Sequence, residues 1–223
     1  MNSNALAVFN LSSALTNGFG AAAFVGQVSL GVAPAGLAIS PDGNWLYALS
    51  QQKDPGSGPS EGSLTVINVQ RAETSPAAAV VSTVDAGCEA TGVITSADGS
   101  VVWTSARASD MVLAFSADKL RIKPAASLVA MVKVGEAPFG MALVDHGSRL
   151  VVANADNDNL PGAISSLGVV STSDALSGKP ALLGLIQTAQ TPRRMALSAD
   201  GRTLLVAHYE LHQVQAVEVA QIP

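Results

Sequence analysis

The segment Gly31-Val32-Ala33-Pro34-Ala35-Gly36-Leu37-Ala38-Ile39-Ser40-Pro41-Asp42-Gly43, followed by Leu46-Tyr47-Ala48-Leu49-Ser50, decides the fold. Two apolar runs of strand length flank an Asp-Gly pair. That pair between apolar runs is a strong hairpin signal, because glycine takes positive φ without a Cβ penalty. The pattern returns three times. Gly87 leads to Gly92-Val93-Ile94-Thr95-Ser96-Ala97-Asp98-Gly99 and Val101-Val102-Trp103-Thr104-Ser105. Gly135 and Pro138 lead to Gly140-Met141-Ala142-Leu143, His146-Gly147 and Leu150-Val151-Val152-Ala153-Asn154. Pro192 leads to Arg194-Met195-Ala196-Leu197-Ser198-Ala199-Asp200-Gly201 and Leu204-Leu205-Val206-Ala207-His208. The turn glycines stand 56, 48 and 54 residues apart, a blade-sized period.

A third strand follows each hairpin, at 64–69, 111–115 and 214–219, and around Gly168-Val169-Val170 in the third copy. A fourth, at 79–84 and 128–134, leads to the next glycine. Four short antiparallel strands per repeat predict an all-β fold, a β-propeller of four-stranded blades. Blades stack face to face, so their inner strands are buried on both sides and read as continuous apolar runs. The composition agrees: 48% of the 223 residues are hydrophobic and only 13% charged, about half the usual ~25%. No sustained i, i+3, i+4, i+7 pattern supports a helical solenoid.

The same arithmetic excludes several classes. High apolar content with few charges is the reverse of a disordered chain. A net charge of −5 argues against an electrostatic nucleic-acid binder. No apolar run reaches the ~18 residues of a membrane span. A single cysteine, Cys88, excludes an internal disulfide and a cysteine-built zinc site; a small buried hydrophobe is its expected role. The first basic residue is Lys53, so no signal-peptide pattern is recognised. Asn10-Leu11-Ser12 is a glycosylation sequon that matters only in a secreted chain.

These copies resemble YVTN-type β-propeller repeats, in which Pro-x-Gly-φ-Ala-φ-Ser-Pro-Asp-Gly is followed by a Tyr-Val-Thr-Asn-like strand and a Val-Ile-Asp-like strand. Pro34, Gly36, Ser40-Pro41-Asp42-Gly43, Leu46-Tyr47-Ala48 and Val66-Ile67-Asn68 carry the resemblance best. His146 replaces the turn aspartate, Arg194 the glycine and Ala90 the proline in single copies. The resemblance implies lactonase-like propellers, usually seven-bladed, or surface and periplasmic propeller proteins, and hence an exported location.

Residues 4–11 resemble a third strand and the last repeat ends on its third strand. The expected organisation is one domain over 1–223, with a partial blade at 1–30 and blades at about 31–86, 87–134, 135–188 and 189–223. That is 17 strands, part of a seven-bladed propeller. Closure into four blades would leave residues 214–219 redundant, so an open arc is favoured, with edges prone to self-association.

No catalytic motif is complete. Gly58-Pro59-Ser60-Glu61-Gly62 has the spacing of a nucleophile elbow but polar loop flanks. Gly18-Phe19-Gly20-Ala21-Ala22-Ala23 resembles a dinucleotide fingerprint without the helix it needs. Asn154-Ala155-Asp156-Asn157-Asp158-Asn159 offers clustered oxygens, read as a loop before a Ca²⁺ site because no EF-hand glutamate follows. No cofactor or resident metal is predicted. If the copies form blades, Ser50, Ala106, Asn154 and His208 recur around one rim of the channel. Arg107, Asp110, Asn154, Asp156, Arg193, Arg194, His208, Tyr209 and Glu210 are the candidate ligand-binding residues there. The Arg193-Arg194 pair suits an anionic or sugar-like ligand. The leading expectation is a non-enzymatic binding or interaction module taking a small molecule or protein at the channel mouth. The alternative is a lactonase-like hydrolase of a cyclic ester or sugar lactone, with Asp156, His208, Glu210 and Arg193 as catalytic candidates.

Overall fold

Each hairpin is tied by its own turn. Ser40 donates its hydroxyl to the Asp42 carboxylate, which also accepts from the Asn44 backbone and side-chain amides, while Trp45 N–H donates back to Ser40 Oγ. Ser96-Asp98-Ser100 and Ser198-Asp200-Arg202 repeat the arrangement. The following glycines, 43, 99 and 201, sit at φ of 72°, 71° and 72°, where a Cβ would be strained. These bonds hold the Asp42 carboxyl down at about 2, Ser40 being the main cause, and lower Asp98 and Asp200 in the same way through Ser96 and Ser198. In the third copy Asp145 instead accepts from Ser148 Oγ and Arg149, and His146 itself takes φ 54°.

The computed structural model describes residues 4–53, 61–155 and 165–223. Five antiparallel sheets follow one another in chain order. The first pairs β1 (Ala5–Phe9) with β2 (Phe24–Ser29). The second runs β3 (Val32–Ile39), β4 (Trp45–Gln52), β5 (Ser63–Asn68), β6 (Val80–Asp85), and the third β7 (Ala90–Thr95), β8 (Val101–Ala106), β9 (Met111–Ser116), β10 (Leu128–Lys133). The fourth runs β11 (Pro138–Val144), β12 (Arg149–Asn154), β13 (Ser166–Ser171), β14 (Leu182–Gln187), and the fifth β15 (Pro192–Leu197), β16 (Thr203–His208), β17 (Gln213–Glu218).

Short helices join third to fourth strands: α1 (Leu11–Asn17), α2 (Val69–Thr74), α3 (Ala117–Ile122) and α4 (Thr172–Leu176). One or two turns are too short to show helical periodicity, so the strand pattern conceals them. Their signal is the capping residue. Asn10, Asn68, Ser116 and Ser171 each accept from the N–H three residues on, satisfying an orphan donor of the first turn. Because β1 and β2 flank α1 as β5 and β6 flank α2, the opening pair is the third and fourth strand of a blade.

The core lies between sheets. Four residues after the turn glycine, Tyr47, Trp103 and Val151 are fully buried. Tyr47 packs with Val102 and Phe115 of the next sheet, Trp103 with Leu150 and Val152, and Val151 with Leu204 and Val206. Each such side chain contributes about 1.5–3 kcal/mol by leaving water. Leu205 holds the same place in the last sheet and is 41% exposed, because no sheet follows it among the described residues. Leu37 and Ile39 on the first complete sheet are likewise exposed, whereas Val93 and Met141, the counterparts of Leu37, are buried.

The first strands pack edge to edge around the axis. Seven residues before each turn glycine stand Gly36, Gly92 and Gly140. A Cβ on any of them would lie closer than 3.0 Å to the backbone carbonyl of Thr91, Phe139 or Arg193 in the next sheet. None has positive φ, so close approach alone requires glycine. Arg194 occupies that position in the last sheet and is exposed.

Candidate functional site

The loop before each first strand kinks at one position, ten residues before the turn glycine. Ala33, Glu89, Ala137 and Thr191 there take φ of 53°, 50°, 50° and 52°. Non-glycine residues at positive φ cost about 1–2 kcal/mol each, and backbone bonds hold them. The carbonyls of Glu89, Ala137 and Thr191 accept from the N–H of Arg107, Ala155 and Tyr209 at 3.0–3.1 Å. The kink thus fixes the end of the second strand against the start of the first and places Arg107 and Tyr209 at one rim. Two residues beyond it, the first strand presents Phe139 and Arg193.

These four side chains form a stack across three sheets. The Arg107 guanidinium lies 5.7 Å from the Phe139 ring centroid, Arg193 lies 5.0 Å from the same ring, and Arg193 lies 4.2 Å from the Tyr209 ring. Each distance falls within the ~6 Å range of cation–π attraction. Arg107 is also paired with Glu89 at 2.5 Å. Arg193 has no ion pair or hydrogen bond among the described residues, and its Nε is buried without a partner. Phe139, Arg193, Arg194, Ala207, His208 and Tyr209 line a cleft of about 310 Å³.

His208 is buried at the floor of the cleft. Its Nδ1 lies 3.0 Å from the Gln190 carbonyl and its Nε2 lies 3.1 Å from Gln215 Oε1. Both nitrogens face a protein oxygen, which makes the ring a strut between the kinked loop and β17. Asp110 likewise serves the backbone: Oδ1 accepts from Ala137 N–H at 3.0 Å and its carbonyl accepts from Val134 N–H. Asn154 is buried, donates from Nδ2 to Ser166 Oγ, and leaves Oδ1 without a partner. Arg194, Tyr209 and Glu210 are exposed. Asp156 and Asp158, like the serine of the elbow-like motif, lie outside the described residues.

The structure therefore brings Arg193, Arg194, His208 and Tyr209 together and joins Arg107 to them through Phe139. It sets Asp110 to holding the loop before β11 and Asn154 to bridging β12 and β13. Phe139 is the residue that sequence reasoning missed. Its signal was its register, since it follows Pro138 as Arg193 follows Pro192. Cys88 is half-buried instead of buried, because it sits in the kinked loop with its N–H bonded to Ser109 Oγ. Larger clefts lie near the hairpin turns, where Arg149 pairs with Asp145 and Arg121 with Asp118. Among the described residues no three His, Cys, Asp or Glu side chains gather as a metal site.

No family model and no curated protein matches the chain. Solved structures do, at low identity. A candidate 6-phosphogluconolactonase from Bacteroides fragilis superposes with a TM-score of 0.69 at 15% identity over 96% of this chain and 60% of its own. The Dos1 propeller gives 0.67 at 15% identity, over 98% and 48%. The mitotic checkpoint complex gives 0.69 at 16% identity, over 98% and 57%. The fold is a β-propeller, and the chain spans about half the length of these structures. No described helix is long and apolar enough to cross a membrane.

Proposed function

We propose that this chain is part of a larger propeller of the YVTN-repeat type and works as a binding module, with its ligand held at the channel mouth over the Arg107–Phe139–Arg193–Tyr209 stack. The observation that carries this reading is Arg193. Its guanidinium lies over two aromatic rings with no counter-charge among the described residues, and its Nε is buried without a partner, which costs free energy unless something else meets it. The residues holding it come from two sheets, and the kinked backbone that presents them is itself strained. Strained backbone gathers at sites where geometry matters more than stability. His208 supports binding over proton transfer, because a general base needs a free nitrogen facing its substrate and both of its nitrogens face protein oxygens.

A lactonase-like hydrolase is the second reading, favoured by the likeness to the candidate 6-phosphogluconolactonase. One experiment separates the two. The chain is incubated with a panel of sugar lactones, with and without chelator, while binding of the ring-opened acids is followed in parallel. The binding reading expects saturable binding with no turnover above the buffer rate. Turnover that disappears in Arg193→Ala or Glu210→Gln would overturn it in favour of the hydrolase.

A further inference from the structure

We infer that the group received by Arg193 is a carboxylate, taken edge-on by the two terminal nitrogens of the guanidinium; this rests on the channel-mouth reading. The guanidinium carbon lies over two aromatic rings, Phe139 at 5.0 Å and Tyr209 at 4.2 Å. Its Nε is buried, which closes the side-on approach. Arg193 lines the cleft, and its terminal nitrogens Nη1 and Nη2 are not buried and have no partner among the described residues. With Nε buried and two rings beside the guanidinium carbon, the terminal edge is the approach left to an acceptor.

Shape and charge then select among anions. A carboxylate is flat, and its two oxygens match the fork with two parallel bonds in one plane. A phosphate or sulfate is tetrahedral. With two oxygens on the fork, its other two project above and below that plane and are met by neither fork nitrogen. The charge in the cleft is also small. Among the described residues Glu89 already cancels Arg107, and Arg193 and the exposed Arg194 are the cations that line the cleft. The chain's net charge of −5 opposes multiply charged anions at long range. A singly charged carboxylate with an uncharged body, received beside Arg194 and Tyr209, fits all of these observations.

The test is nuclear magnetic resonance of the arginine Nε–Hε and aromatic signals of the whole chain, titrated with sodium D-glucuronate, inorganic phosphate and D-glucose. Glucuronate is expected to move the Arg193 signal saturably, and phosphate to bind about tenfold more weakly or less. Arg193→Lys keeps the charge but not the fork, and should weaken glucuronate by about tenfold or more with the backbone amide spectrum unchanged. Tyr209→Leu removes one of the rings beside the guanidinium at an exposed residue, and should narrow the gap between glucuronate and phosphate. Phosphate binding as tightly as glucuronate, or glucuronate indifferent to Arg193→Lys, overturns the carboxylate assignment. If glucose moves Phe139 and Tyr209 while neither anion moves Arg193, the carboxylate assignment fails and the channel-mouth reading stands. If no probe perturbs the mouth, both fail.

Discussion

Gly92→Ala should destabilise the chain far more than adding one methyl group to a β-strand ordinarily does. The new Cβ would meet the Phe139 carbonyl of the next first strand and lie 2.8 Å from Ser105 Oγ. The carbonyl is backbone, so relief requires β11 to retreat from β7. That retreat breaks the bond from Ser105 Oγ to Phe139 O, now 2.6 Å, and lengthens the one from Thr91 Oγ1 to Pro138 O, now 3.3 Å. Overpacking costs about 1–3 kcal/mol and a lost hydrogen bond about 0.5–1.5 kcal/mol, which together give about 3 kcal/mol. At about 2–4 °C per kcal/mol for a chain of this size, Tm should fall by about 6–12 °C. The control is Gly184→Ala in β14. That glycine also lacks positive φ, and a Cβ there meets nothing within 4 Å. Relieved of glycine's entropy cost, it should gain about 0.5–1 kcal/mol and melt slightly higher. Scanning calorimetry of both variants decides the matter. A Gly92→Ala midpoint within ~2 °C of the parent's, on the same scale, would show that the first strands do not pack on backbone contact and would refute the reasoning.

Further outcomes follow from features of other parts of the molecule. Asp42, Asp98 and Asp200 have lowered carboxyl pKa values in the folded chain, Asp42 at about 2, so the unfolded chain binds protons more readily than the folded one as pH drops. Stability from these turns is present above the ordinary carboxylate value near 4 and is lost as pH falls towards 2; Asp→Asn at all three should flatten the melting-temperature profile over that window. Asn68→Ala removes the side-chain cap of α2 and should cost about 1 kcal/mol, read as a shifted urea midpoint with unchanged slope. Val214→Lys should change stability by less than about 0.5 kcal/mol, because Val214 is 67% exposed, whereas Leu64→Lys at the equivalent buried position should prevent folding.

The strands were legible because their evidence is local. An apolar run, an Asp-Gly turn and a second run fall within twenty residues, and four copies average out single departures such as His146. The helices α1 to α4 were not, because a single turn following a strand adds no periodicity. Only the capping Asn or Ser at the end of each third strand betrays them. At the site, Arg193, Arg194, His208 and Tyr209 were found together because the repeat gives positions of equal register a common rim. Their roles were not legible. Whether His208 faces solvent or braces a loop depends on Gln190 and Gln215, one before its strand and one on the next. Phe139 was overlooked because it holds no charge, although it is the ring that joins Arg107 to Arg193.

The glycine-to-carbonyl joint has a consequence at the last sheet, which lacks it. Three joints are cut to a single template, with Gly36, Gly92 and Gly140 each seated on a neighbour's backbone. At the fourth, Arg194 fills the seat. Any neighbour lying beyond β15 must stand farther from the axis than the other sheets stand from one another, because a guanidinium and its stem occupy the place of a hydrogen atom. Such spacing would turn the wall of the channel into a doorway beside Arg193. A ligand could then reach the stacked cation from the flank as well as from the mouth, past an arginine at the threshold.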